Sequence, residues 1–282
     1  MKSHEPLSEE EHYSRPEVKE EIARFSRDRW VGVHCSLRDK DGRPILLRYD
    51  HGRPITLKSE DDVMQLFKRF YRLRPRTFYG TANIYSKLSK RSDVSSLKNV
   101  VGCMPTWDID NELASWKATI EAAREIHNFL ENKGIGSVII KWSGKGAHVH
   151  VHQYAISKEF RERVHPLDAA YAMVEFTNMK LKDKFDDIRS RTGSMKLSID
   201  NEMDRQRLFT APLSLHKELD MVAVVIDPNK IDSFDPSFAS FGNFRHFKGW
   251  DIFQPGEADN FAKEALDSVG GYLPERNLKK AM

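Results

Sequence analysis

The run Ser143-Gly144-Lys145-Gly146-Ala147-His148-Val149-His150-Val151-His152 constrains the fold more than any other stretch. Two glycines separated by one residue suit a tight turn. The His/Val alternation behind them has the two-residue period of a strand whose two faces differ. A β-branched stretch from Ser137 to Trp142 precedes the turn, so a hairpin of residues 137–142 and 147–153 is expected. The alternation puts His148, His150 and His152 on one face and Val149 and Val151 toward a core. Three imidazoles on one face are expected to line a groove rather than fill an interior. Glycine amides can approach an anion closely, and Ser143 and Lys145 add a hydroxyl and a positive charge, so the turn is a candidate phosphate cradle. The glycines alone would suit any hairpin.

The chain on either side alternates helices and strands. Pro16 to about Phe25 reads as a helix, with proline in the first turn and Val18, Ile22 and Phe25 on one side. Trp30–Cys35 and Ile45–Tyr49 read as short strands, and Ser59 with three acids behind it reads as the start of a second helix. Val100–Asp110 is expected as one strand, Ser115–Lys133 as an amphipathic helix, Pro166–Phe185 as another, and Met195–Asp200 and Met221–Ile226 as strands. Glu257–Val269 reads as an amphipathic helix that either packs or docks a partner. The pattern is an α+β chain with α/β alternation, around a mostly antiparallel sheet. Three segments are expected: an N-terminal α/β module over 1–95, a central module over 96–250 and a helical tail over 251–282, together forming one integrated domain.

Thr106-Trp107-Asp108-Ile109-Asp110 ends its strand with carboxylates at i and i+2, which share a face. Two hard oxygen ligands side by side suit a pair of magnesium or manganese ions, which could activate a hydroxyl and neutralise a triphosphate. Asp200 closes a later strand and is the natural third ligand, although an aspartate there could equally cap a turn. Behind it, Arg207 offers forked donors to phosphate, and Ser214 and His216 add further donors. Cations also gather at Lys68-Arg69-Arg72-Arg74-Arg76 and at Lys87-Lys90-Arg91, with aromatics between them, a pattern that suits nucleic acid as well as an ordinary solvated face.

Bulk composition narrows the class. With 31% charged and 39% apolar residues and no long apolar run, no membrane association is expected. The polar start of the sequence suggests no secretory signal, and an intracellular, cytoplasmic, nucleoid-associated protein is expected. Cys35 and Cys103 stand far apart without a CxxC pair, so no disulfide scaffold or cysteine zinc module is expected. A competing reading makes His148-Val149-His150 the metal site of a nicking nuclease with Tyr154 or Tyr171 as nucleophile. Another keeps the strand binding and drops the catalysis, leaving an accessory nucleic-acid-binding subunit.

Taken together, Asp108-Ile109-Asp110, the turn and strand Ser143 to His148, and Asp200 through Pro212-Leu213-Ser214-Leu215-His216 resemble the catalytic small subunit of archaeal and eukaryotic primases. Tyr13-Ser14-Arg15-Pro16-Glu17-Val18 and Pro75-Arg76-Thr77-Phe78-Tyr79 are also similar, so the resemblance covers most of the chain. It implies a primase-polymerase fold, in which an RRM-like catalytic sheet is fused to an N-terminal α/β module with the site in the cleft. It also implies Asp108, Asp110 and Asp200 as ligands of two Mg2+ or Mn2+ ions, and Ser143, Lys145, His148, Arg207, Ser214 and His216 as contacts to the nucleotide. The implied partners are template and primer DNA and (d)NTPs, with an accessory primase or repair subunit. The turn is one residue shorter than in the family and carries a lone Lys145 where some relatives have paired arginines. The family's zinc-binding cysteines are absent, which is compatible with a smaller stand-alone primase-polymerase.

Overall fold

The structure is a computed structural model that describes residues 8–272. Residues 1–7, where the polar start was read, and 273–282 of the expected tail lie outside the described residues. The chain opens with α1 (Glu9–Ser14), a helix not expected from the sequence, and α2 (Pro16–Ser26). Ser8 and Glu11 cap α1 reciprocally, side chain to backbone in both directions. Pro16 begins α2 at a position whose N–H needs no partner. Then come β1 (Val31–Arg38), β2 (Pro44–Leu47), β3 (Tyr49–Asp50), β4 (Arg53–Pro54), α3 (Glu60–Arg69) and β5 (Pro75–Thr81). The Asp62 carboxylate accepts from the backbone N–H groups of Lys58 and Ser59, which fixes the start of α3.

β6 (Asn83–Tyr85), α4 (Arg91–Ser95) and β7 (Val100–Cys103) lead into β8 (Thr106–Asp110), α5 (Trp116–Asn132), β9 (Val138–Trp142) and β10 (Ala147–Val151). α6 (Lys158–Arg163), α7 (Pro166–Thr192), β11 (Ser198–Asp200), β12 (Leu208–Thr210) and β13 (Val224–Ile226) follow, then β14 (Ala239–Ser240), β15 (Asn243–Phe244) and α8 (Asp259–Val269). The single strand expected over Val100–Asp110 is two strands. Pro105 cannot donate to a ladder, and the chain changes sheets there: β7 pairs with β6, while β8 enters the larger sheet. Gly193, at φ 68, ends α7 after Thr192, about two turns beyond the expected Phe185.

Two sheets carry the architecture. One is ordered β12-β5-β1-β2, and the other β11-β8-β10-β9-β13, with every pairing antiparallel. Within the second, β8-α5-β9 and β10-α7-β11 are two crossovers joined by the β9-β10 hairpin, the split β-α-β arrangement expected for the catalytic sheet. Its helix-facing side buries Trp107, Ile109, Val149 and Val151. α8 packs on α7, burying Phe261, Ala262 and Ala265, with the Phe261 ring 5.9 Å from Phe176 and 5.8 Å from Phe129. The helix expected over Glu257–Val269 is therefore core packing. No helix among the described residues is long and apolar enough to cross a membrane.

The other face of the second sheet meets the first. Phe209 of β12 lies edge-on to the rings of His148 and His150 at 5.1 and 5.5 Å. Lys141 of β9 donates to the carbonyl of Thr210 at 2.5 Å and lies 4.7 Å from the Phe25 ring of α2. This corrects the expectation of an open histidine groove. His150 and His152 are 1% and 2% exposed and His148 is 7% exposed, because Phe209 of β12 covers His148 and His150 and Phe253 stacks on His152, closing the face that alternation alone leaves free.

Candidate active site

Register assembles the site. Across β9, β10, β8 and β11, the Cα partners run Lys141, His148, Asp108, Asp200, and the same strand face carries Asp110 one pleat repeat further along β8. The three carboxylates expected as ligands thus stand on one face of two paired strands, with Asp200 far from the other two in sequence but adjacent to them in the sheet. Asp110 and Asp200 are exposed and have no polar partner among the described residues. Asp108 is buried and doubly engaged. His148 Nε2 lies 3.2 Å from its Oδ1, and Arg207 Nη2 donates to its Oδ2 at 2.5 Å. Arg207 also pairs with Glu202, a carboxylate that the sequence did not single out.

Burial opposes ionisation of Asp108, but the neighbouring His148 and Arg207 outweigh it and hold the carboxyl below its usual range. Burial, helped by the charges of Lys141 and Arg207, pushes His148 downward against the pull of Asp108. We therefore assign a neutral His148 that donates Nε2–H to an ionised Asp108. His150 is driven well below its ordinary value, first by burial and then by Lys141. The Thr106 hydroxyl donates to the Met104 carbonyl at 2.9 Å, so it accepts from His150 Nδ1 at 2.8 Å and braces the strand break at Pro105. His152 holds Asp251 at 3.0 Å and stacks on Phe253 at 4.3 Å, pinning the chain that leads to α8. These two histidines have structural work, and Lys141 and Arg29 place two buried basic side chains near the His148-His150 pair. Lys141 itself is fully buried, and burial and Arg29 bring its pKa far down. The only sign of it in the sequence is a lone lysine inside Val138-Ile139-Ile140-Lys141-Trp142.

The glycine turn lies at the end of this row. A Cβ on Gly146 would sit 2.3 Å from the carbonyl oxygen of Ile109, and one on Gly144, at φ +127, would sit 2.5 Å from the His216 ring. The glycines are needed for packing against β8 and His216, and the turn stays bare enough for an anion. Lys145 is exposed and Ser143 half-buried at its rim. His216 Nδ1 accepts from the backbone N–H groups of Glu218 and Leu219 at 3.1 and 3.0 Å. Burial, then Lys217, pushes its pKa down to about 4, so its proton sits on Nε2 as a free donor.

Ser214 does not join the group. It is fully buried, its hydroxyl accepts from Phe78 N–H at 2.7 Å, and it lies 3.3 Å from the Tyr13 hydroxyl, so it clamps β5 to α1. Arg76 was grouped with a basic cluster. It instead bonds the carbonyls of His216 and Leu219 and the carboxylates of Glu9 and Asp220, and so shapes the loop behind His216. A cavity of about 630 Å³ opens beside Arg207, with His34, Arg38, Tyr79, Leu208 and Lys217 among its walls.

Among the described residues, no three His, Cys, Asp or Glu side chains gather into a metal cluster. The geometry gives the reason: the Arg207 guanidinium takes the Asp108 oxygen that a cation would use. The donor set itself, three carboxylates on one strand face with two of them unpartnered, fits a hard divalent ion such as Mg2+ or Mn2+.

No family model matches the sequence, and no curated protein matches it. Among solved structures, the chain is similar to the polymerase domain of Mycobacterium tuberculosis Ligase D, determined in complex with DNA. The TM-score is 0.51 at 14% identity, over 94% of this chain and 90% of that one. The similarity shows the fold, an α+β primase-polymerase fold. At this identity it does not single out the archaeal small subunit.

Proposed function

We propose that the chain is a divalent-metal-dependent nucleotidyltransferase that adds nucleotides to a 3′-hydroxyl on a DNA template, as a primase, a primer-extending polymerase or both. The observation that carries this reading is the placement of Asp108, Asp110 and Asp200 on one strand face, with Arg207 reaching Asp108 and the Ser143–Gly146 turn and His216 beside them. The similarity to a polymerase domain solved with DNA supports it.

In this reading, Asp108, Asp110 and Asp200 hold the metal ions, which when bound supply Lewis acidity and neutralise charge on the triphosphate. The protein contributes position and donors. His148 donates Nε2–H to Asp108 and keeps its carboxylate turned toward the shared face. Arg207 exchanges a carboxylate for phosphate oxygens, for which its planar fork is shaped. Lys145 and His216 Nε2–H supply further donors from the turn. No covalent enzyme intermediate is involved.

Asp110 is exposed and has no polar partner among the described residues, so Asp110→Asn is expected to leave the fold intact. Asp110→Asn and Asp108→Asn are each expected to lower primer extension about a hundredfold or more with magnesium or manganese, as for loss of a principal charge-stabilising group. Extension surviving in the double variant overturns the reading. Strand binding by the wild-type chain without incorporation under either metal overturns it in favour of an accessory role.

A further inference from the structure

The segment from Ser86 to Asn99, SKLSKRSDVSSLKN, carries four cations and a single acid. Lys87, Lys90, Arg91 and Lys98 are all exposed. The acid, Asp93, is buried and turned inward, where it accepts from the backbone N–H groups of Ser89 and Lys90. None of the four cations forms an ion pair among the described residues. The helical side of the molecule differs: there Arg124 pairs with Asp232, Lys133 with Glu264, Lys184 with Glu125 and Arg191 with Glu121. Arg91 lies 4.3 Å over the Tyr49 ring, a cation–π contact that leaves its N–H donors without a hydrogen bond among the described residues. Ser86, Ser89, Ser92, Ser95 and Ser96 stand exposed between the cations.

This patch is tied by hydrogen bonds to the segment that reaches the acidic face. It begins one residue after β6, whose Asn83 side chain donates to the carbonyls of Asp204 and Arg205 at 3.3 and 3.0 Å. Ala82 N–H donates to the carbonyl of Arg207 at 2.9 Å, in the segment that reaches Asp108. Arg205 is exposed on that connection and, among the described residues, forms no ion pair either. The leucines of the patch, Leu88 and Leu97, are half-buried rather than presented outward, so it offers cations and hydroxyls without the apolar anchor a lipid surface takes.

We infer that the Ser86–Asn99 segment is a docking surface for the sugar-phosphate backbone of a nucleic-acid strand, which runs from Lys87, Lys90, Arg91 and Lys98 past Arg205 toward the carboxylate face. The strand's destination rests on the reading of the chain as a nucleotidyltransferase. Its binding does not, because it is measured without nucleotide or metal.

The test combines Lys87→Gln, Lys90→Gln, Arg91→Gln and Lys98→Gln in the full chain and follows anisotropy of a fluorescein-labelled single-stranded oligodeoxynucleotide across a sodium chloride series. Each single-strand phosphate contact contributes about 0.7 to the slope of log affinity against log salt, so the variant is expected to lose about 2 to 3 from that slope. Its affinity at low salt should fall about ten- to a hundredfold. Lys133→Gln with Arg191→Gln, from the paired side, should change neither. An unchanged slope and affinity in the fourfold variant overturn the inference. So does a loss confined to phosphatidylserine vesicles with DNA binding intact. Extension assayed at saturating primed template separates the two readings: the fourfold variant extends there, whereas Asp110→Asn binds the strand and does not.

Discussion

At the scale of single residues, burial decides more of this protein's chemistry than residue type does. His12 is fully buried, edge-on to Tyr13 and Phe241, and its Nε2–H donates to the Leu213 carbonyl at 2.8 Å. Burial pushes its pKa down to about 4. A histidine with a depressed folded value contributes stability in full above its unfolded value of about 6.5 and loses it as pH falls through about 4. The loss amounts to about 3 kcal/mol for this side chain. Urea midpoints at pH 7 and pH 4.5 are therefore expected to differ less for His12→Gln than for the parent; an equal drop in both would show that His12 does not titrate as described. The acids and His148 were legible because a two-residue period says which side chains share a face. Ser214 was read as a phosphate donor because it lies between Arg207 and His216 in the segment that follows Asp200. No local pattern announces that its hydroxyl belongs to Phe78 N–H, 136 residues away.

At the scale of elements, the hairpin and its glycines were visible in the sequence, though not the reason for both glycines. Gly146 has the backbone of β8 against it, so Gly146→Ala forces β10 away from β8 and pulls His148 from Asp108. A cost of about 3 kcal/mol is expected, in the range of overpacking against rigid atoms. Gly134, at φ +80 with open space around a Cβ, provides the comparison. There, Gly134→Ala meets only backbone strain, about 1 kcal/mol. Equal thermal shifts for the two variants would refute the steric account. The strand break at Pro105 follows from proline chemistry. Which sheet each half joins does not, because that depends on pairing partners elsewhere in the chain.

For the whole molecule, the consequential contact is between the sheets. Phe209 is 1% exposed, wedged against His148 and His150, and the apolar core runs without interruption from Val33 and Phe78 of the first sheet to Trp107 and Val149 of the second. A core shared in this way should unfold as one unit. Phe209→Ala is expected to lower stability by about 3–5 kcal/mol. Far-ultraviolet circular dichroism and tryptophan fluorescence should keep the same midpoint in parent and variant alike. Separate midpoints would mean that the two sheets fold independently.

The sequence by itself determined the longer elements and their faces: the long helices by their apolar spacing, the strands by alternation, the shared side of Asp108 and Asp110, and the turn that precedes His148. Those features depend on residues a few positions apart, which is the range over which backbone periodicity acts. The tertiary structure decided what lies opposite each face. It buried His150 and His152, withdrew Ser214, set Lys141 beside His148 and brought Arg207 onto Asp108 across 99 residues. Burial and ion pairing arise between segments that meet only when the sheets close on each other, and no local period encodes that meeting.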